Sequence, residues 1–350
     1  MSTMIAARFH AESSTFGLEE VEIPTPGPAE VLVRVEACGI CSSDVHLIEG
    51  MLPPPVASVT PGHEAAGTIA ARGTKVPARW REGLRVVLSA GRRCDRCRPC
   101  LRGGGIDDCE SLQVMGSFYD GAWAQYVVVG FEQLVEIPDG IPFAQAAILA
   151  DAVTTPYAAL LDTARLRPSE SVGVWGIGGL GTHAVQVARL AGAAPIIAVD
   201  RVEEVRQRAL RLGADAALDP AAPDFAETID AMTGGRGLDV AAEFVGYNAV
   251  REQAVRSLGH GGRALFVGLS PDPIVIRDAI PFLLRSQVIL SHLGGGVAHL
   301  EAIVNLVARG RLDVSGSVSA SVSLTDVAEG IRGLQTSSGN TVRIVVQPWV

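Results

Sequence analysis

Lysine is almost absent from this chain. Lys75 is the only one in 350 residues, and the other 28 of the 29 basic residues are arginine. The 38 acidic groups outnumber them and leave a net charge of −9. That balance disfavours nucleic acid or an anionic membrane as a partner, because such surfaces call for basic patches. Long apolar runs are also missing: none approaches the roughly 18 residues that span a bilayer. Met1–Arg8 lacks the apolar core of a signal peptide, so a cytoplasmic protein is expected. Cysteine is confined to positions 38, 41, 94, 97, 100 and 109. In a reducing compartment such clusters read as metal ligands rather than disulfides.

What is present is the composition of a soluble globular protein, 48% hydrophobic and 19% charged. The length is too great for one ordinary core, so two domains are expected. Val31, Val33 and Val35 alternate with Leu32, Arg34 and Glu36 as a half-buried strand that leads to Cys38 and Cys41. Short strands with glycine punctuation run from Ala65 to Leu88, and further strands are expected over Ala122–Val129 and Leu134–Ile137. Near residue 151 the texture changes. Thr155-Pro156 fits an N-cap followed by proline at the first helical position, with a helix over Tyr157–Thr163. From about 171 to 290 the apolar runs Val172–Trp175, Ile196–Val199, Val240–Phe244 and Ala264–Val267 alternate with amphipathic segments. That is the pattern of βαβ units and a parallel sheet. A helix over Leu300–Ala308 and a strand over Val342–Val346 close the chain.

Gly176-x-Gly178-x-x-Gly181 follows the run Val172–Trp175 directly and opens the helical pattern Thr182–Leu190. Its glycines permit a tight turn, close approach of backbone to a pyrophosphate, and packing of helix on strand. The pyrophosphate would sit at a helix N-terminus, beside Gly179 and Leu180. Asp200 ends the next strand, 19 residues after Gly181. It is placed to accept hydrogen bonds from the adenosine ribose and to repel a 2′-phosphate, which favours NAD over NADP. Arg201 points the other way, since an arginine there can bind that phosphate. A turn or cap role for Asp200 is the plainer alternative.

Cys94-x2-Cys97-x2-Cys100-x8-Cys109 lies in a loop, residues 91–110, with no hydrophobic periodicity. Four thiolates satisfy tetrahedral zinc, which would order a loop that packing cannot. An iron–sulfur cluster also begins with C-x2-C-x2-C, but the Cys-Pro ending and the second quartet of such proteins are missing. Of the two remaining cysteines, Cys38 reads as a small buried apolar residue. Cys41 stands close to Ser43, Asp44 and His46, and Gly62-His63-Glu64 follows. Cys41, His63 and a third ligand would leave the open position that catalytic zinc needs.

These stretches together resemble the zinc-containing alcohol dehydrogenases of the medium-chain dehydrogenase/reductase family. The resemblance covers essentially the whole chain. It is carried by Gly39–His46, Gly62–Gly67, the four-cysteine lobe, Asp120–Tyr126, the glycine motif and Gly213-Ala214-Asp215-Ala216. It implies a GroES-like, β-rich catalytic domain over 1–153 and 295–350, with the structural-zinc lobe at 91–110. A Rossmann NAD-binding domain, a doubly wound parallel sheet, would occupy 154–294. Two zinc ions per chain are implied, one catalytic and one structural.

By the same resemblance, zinc acts as a Lewis acid on an alcohol oxygen and hydride passes to NAD. Cys41 and His63 are zinc ligands. Ser43 takes the alcohol proton and passes it through the nicotinamide ribose to His46, which releases it to solvent. Asp44 orients a ligand, and Glu64 lies behind the metal. Many members supply the third ligand from a cysteine near the domain junction, where this chain has Asp151. Asp151 or Glu64 completes the site. Thr155 backs the nicotinamide, and Val267, Gly268 and Leu269 line the other side of its pocket.

Two departures stand out. The fourth lobe cysteine falls one residue later than is usual, and the family's Gly-Asp-Arg-Val turn reads Gly83-Leu84-Arg85-Val86. Phe118, Tyr119, Trp123, Phe282 and Leu293 are candidate pocket or rim residues. The resemblance implies a homodimer or homotetramer acting on a small alcohol or carbonyl. The alternatives are an NADPH-preferring carbonyl reductase of the same fold and a non-catalytic dinucleotide-binding protein.

Overall fold

A computed structural model describes residues 2–104, 108–336 and 339–350. Residues 105–107 of the expected zinc lobe lie outside the described residues. The chain forms two compact units. One comprises Met1–Thr154, Gly295–Ser337 and Arg343–Val350; the other comprises Thr155–Gly294 and Ser338–Val342.

In the first unit, the strand Glu30–Ile40 is the axis of a seven-stranded sheet. Its alternation places Val31, Val33 and Val35 fully inside the core. It pairs antiparallel with Glu64–Arg72 on one side and Arg343–Gln347 on the other, and Tyr126–Gly130 pairs with its first half. Cys38, Gly39 and Ile40 therefore lie between Ala65-Glu64 and Val346-Val345-Ile344. The strand ends at Ile40, and the short helix Ser42–Ile48 starts with Cys41 as its N-cap. Asp44, at the third helical position, reaches back so that its carboxylate accepts the Cys41 N–H at 2.9 Å. The ladder begins later than the expected Ala122, at Tyr126. Ala122 and Trp123 are buried, but their N–H groups bond to the turn at Pro61 and Gly62 instead. Leu84, at the departure from the family's turn, packs in this unit's core.

The second unit carries six parallel strands in the order 216–218, 196–199, 172–175, 238–243, 258–266 and 288–291. Val172–Trp175 and Ile196–Val199 are buried at every position. This is why they read as unbroken apolar runs: helices cover both faces of a parallel sheet. Strand order reverses between Val172–Trp175 and Leu238–Glu243, the crevice where such sheets bind ligands. The glycine motif leaves the first of these strands at that point.

One expectation fails. Thr155 caps nothing, because the helical run begins at Phe143 and continues to Thr163. Pro156 sits inside it. The run accommodates the proline's missing N–H and ring by widening into a π-turn at Leu149–Val153, just before it, and widens again at Ala159–Thr163. The Leu149 carbonyl accepts both the backbone N–H and the hydroxyl of Thr154. Asp151 lies in the middle of the first π-turn.

Candidate active site

Asp44 organises the metal-ligand cluster. Beyond the Cys41 N–H, its carboxylate accepts the Gly62 N–H at 3.2 Å and meets His63 Nδ1 at 3.1 Å. With Nδ1 donating to Asp44, the His63 lone pair is directed through Nε2. Nε2 lies 3.5 Å from Asp151 Oδ2, which in turn lies 3.5 Å from Cys41 Sγ. Ligands at about 2.0–2.3 Å from a tetrahedral zinc stand about 3.3–3.8 Å from one another, so these three atoms fit around one ion. Ligand atoms of Cys41, His63, Glu64 and Asp151 all lie within 4.8 Å of one another.

Gly62 makes the approach possible. Its φ of +96° suits glycine, and a Cβ there would lie 2.5 Å from Trp123 and 2.9 Å from Cys38 Sγ. Cys38 is fully buried and points into the core, where burial pushes its thiol up.

Sequence reading missed Arg343. It is buried, and its Nη2 donates to Glu64 Oε1 at 2.8 Å, with Cys41 Sγ at 3.5 Å and Asp151 Oδ2 at 3.6 Å. Its Nε bonds both Glu64 oxygens at 3.0 and 3.1 Å. The one available signal was a charge inside the apolar run Val342-Arg343-Ile344-Val345-Val346. Burial pushes Glu64 up to about 7 against the pull of Arg343. Burial opposes the Arg343 cation, but Glu64, Cys41 and Asp151 more than offset it. At His63, burial favours the neutral ring, yet Asp44 and the hydrogen bonds to Asp151 and Cys41 raise its pKa well above the ordinary value. The cluster therefore favours an added positive charge.

Ser43 and His46 stand three residues apart on the Ser42–Ile48 helix, on one face. His46 Nδ1 is buried without a partner, and burial lowers the ring's pKa.

The lobe cysteines 94, 97, 100 and 109 are free thiols, also within 4.8 Å of one another. Backbone N–H groups of Cys94 and Cys97 point at Cys109 Sγ and Cys94 Sγ, both at 3.3 Å. Such N–H···S contacts favour thiolates, as a four-sulfur zinc site needs. The backbone N–H of Arg96 leads in holding Cys94 down to about 6, while burial pushes Cys100 up to about 12.

In the second unit, Gly176 adopts φ +81°, and a Cβ on Gly181 would lie 1.9 Å from the Gly176 carbonyl oxygen. A Cβ on Gly178 would meet nothing within 4 Å, so this face is open. Gly178 caps the 13-residue helix Gly179–Ala191, with Leu180 in its first turn. The loop thus presents open backbone at a helix N-terminus, which fits a pyrophosphate. Asp200 accepts the Ile177 N–H at 2.9 Å and the Val202 N–H at 3.0 Å. Arg201 is exposed. Val267 and Gly268 donate to the Glu243 carbonyl, Leu269 is partly exposed, and Thr155 is buried. Of the candidate pocket aromatics, Trp123 is a core residue and Tyr119 is partly buried against that core. Trp123 is fully buried and donates to the Gly39 carbonyl at 3.3 Å, and the Tyr119 hydroxyl accepts from Gln133 at 2.8 Å.

A buried Cys/His/carboxylate cluster in a β-rich unit and a glycine-loop parallel sheet define a metal- and dinucleotide-binding oxidoreductase. Residues 27–139 match the alcohol dehydrogenase GroES-like domain model, and 179–309 match the zinc-binding dehydrogenase model. An alcohol dehydrogenase of Geobacillus stearothermophilus is 34% identical over 316 residues, 89% of this chain and 90% of that protein. A solved zinc-binding dehydrogenase structure from Sinorhizobium meliloti 1021, bound to NADP, superposes with a TM-score of 0.89 at 30% identity, covering 99% of this chain and all of that one. The acetophenone reductase of Geotrichum candidum in complex with NAD gives 0.87 at 29% identity, covering 100% of this chain and 98% of that one. The chain belongs to the zinc-containing alcohol dehydrogenases of the medium-chain dehydrogenase/reductase family. It is an oxidoreductase that uses zinc and a nicotinamide cofactor. No helix among the described residues is long and apolar enough to cross a membrane.

Proposed function

We propose that this enzyme interconverts a primary or secondary alcohol with its aldehyde or ketone, using NAD and two zinc ions per chain. The observation that carries the reading is the arrangement around His63, with Asp44 on Nδ1 and Cys41 and Asp151 at tetrahedral spacing on the other side. Cys41, His63 and Asp151 hold the catalytic metal. Glu64, whose oxygens are occupied by Arg343, stands behind it in reserve. Cys94, Cys97, Cys100 and Cys109 hold the structural ion. When bound, zinc polarises the substrate oxygen and the nicotinamide carries the hydride. Ser43 accepts the alcohol proton, and His46, on the same helix face, delivers it to solvent. Asp44 fixes the His63 tautomer.

The pyrophosphate lies on Gly176, Gly178, Gly179, Leu180 and Gly181, with Asp200 at the adenosine ribose and Thr155, Val267, Gly268 and Leu269 at the nicotinamide. Asp200 supports NAD. The exposed Arg201 beside it supports the second reading, an NADPH-preferring carbonyl reductase. The catalytic domain spans 1–153 and 295–350, the cofactor domain 154–294. A homodimer or homotetramer is supported by the edge strand Val288–Ser291, which has a strand neighbour on one side only among the described residues, and by the exposed Ile280, Leu283 and Leu284.

Elemental analysis paired with an assay of NAD and NADP reduction on a panel of alcohols tests this. Two zinc per chain, and turnover with NAD that chelation abolishes, are expected. A zinc-loaded protein inactive on every alcohol and carbonyl would favour a non-catalytic dinucleotide-binding role.

A further inference from the structure

Arg208, on the helix Glu203–Arg211, differs from the other buried or half-buried arginines of this unit. Arg206 is neutralised by Glu203 and Asp219, Arg251 lies against Glu243, and Arg263 pairs with Glu170. Arg208 has no carboxylate within ion-pair reach among the described residues. Its guanidinium ends on neutral oxygens instead. Nη2 donates to the Ile177 carbonyl at 2.7 Å and approaches the Gly339 carbonyl at 3.5 Å. Nη1 donates to the Asn340 carbonyl at 2.7 Å and to its side-chain oxygen at 3.0 Å. Nε is buried without a partner. Burial works against this cation, with the Asp200 charge in partial opposition.

A half-buried cation with no counter-anion is costly to keep. Its position supplies the reason. Ile177 lies between the first two glycines of the loop, and that loop opens the helix Gly179–Ala191. Both ends of this residue are held: its N–H by Asp200, and its carbonyl by Arg208 and the Thr182 hydroxyl at 3.0 Å. With the Ile177 carbonyl drawn to Arg208, the N–H groups that follow are left for an anion. We propose that Arg208 is a positioning residue for the cofactor pyrophosphate. It fixes the glycine loop through the Ile177 carbonyl, and its un-neutralised charge adds to the anion-attracting potential of the helix N-terminus. The same fork pins Gly339-Asn340 beside the loop. The proposal rests on the reading that this loop binds the dinucleotide.

The test compares ADP-ribose, which carries the pyrophosphate, with adenosine, which lacks it, by calorimetry on the full-length protein. Arg208→Gln is expected to raise the ADP-ribose Kd about tenfold, as loss of one charge-assisted contact implies. Arg208→Lys, which keeps the charge but loses the fork, should raise it about threefold. Adenosine should stay within about twofold in both, because the ribose and adenine contacts are untouched. An ADP-ribose Kd unchanged in either variant, or an equal loss for adenosine, overturns the proposal. The lysine variant retains the cation, so Arg208→Lys decides the matter even if Arg208→Gln does not fold. Failure of the parent protein to bind ADP-ribose at all would instead overturn the dinucleotide reading itself.

Discussion

Glu64 and Arg343 meet at 2.8 Å across the backbone of Gly39, though 279 residues separate them in the chain. Gly39 faces Glu64 on one neighbouring strand and Val345 on the other. A Cβ at Gly39 would lie 2.0 Å from Glu64 Oε2. The glycine is therefore the gap through which the ion pair closes. Gly39→Ala should expel the Glu64 carboxylate and weaken the cluster. Arg343→Met leaves a buried carboxylate unpaired and should cost about 3–5 kcal/mol. Chemical denaturation of the metal-free proteins measures both, and a loss below about 1 kcal/mol for Arg343→Met would mean the pair is not structural.

Asp151 Oδ2 lies 3.5 Å from both Cys41 Sγ and His63 Nε2, which favours it over Glu64 as the third ligand. Asp151→Ala should leave one zinc per chain, retained by the four cysteines, with dehydrogenase activity lost. Elemental analysis decides it. Two zinc ions remaining would pass the role to Glu64, released from Arg343.

Ser43→Ala should cut turnover by about 10²–10⁴, the range for lost proton transfer. The pH profile reports on His46. Burial lowers its pKa below the ordinary 6.5, with Glu49 in partial opposition. A proton acceptor must be neutral, so the acid limb for alcohol oxidation should lie below pH 6.5 and should be lost in His46→Gln. The unfolded chain takes up this proton more readily than the folded one. Stability tied to His46 is therefore present above 6.5 and is lost as pH falls through the folded-state value. A limb that persists unchanged in the variant would exclude His46.

Asp200→Gly should raise the ratio of kcat/KM for NADP over NAD. It should also weaken both cofactors, because the Ile177 N–H loses its acceptor. Steady-state kinetics with the two cofactors separates these effects, and an unchanged ratio would confine Asp200 to holding the loop.

Local chemistry was legible wherever neighbours in sequence are neighbours in space. The glycine loop, the four-cysteine lobe and Cys41–His46 each complete their geometry within a few residues, so residue type and spacing suffice. The buried strands Val172–Trp175 and Ile196–Val199 were legible because a parallel sheet covered on both faces requires unbroken apolar runs. The helix near 155 starts earlier than local rules place it, for an equally physical reason. Thr-Pro is a sound helix opening by those rules, and only the π-turn before it lets a helix begun at Phe143 pass through Pro156. That distortion is also what carries Asp151, so the local rule failed at a proposed ligand. Tertiary structure alone decided how the metal cluster closes. Cys41, Glu64 and Arg343 meet through the register of three strands around Gly39, and Asp151 reaches them from the π-turn. The period-2 pattern of each strand fixes which face it buries, but nothing within one segment shows which distant strand lies beside it.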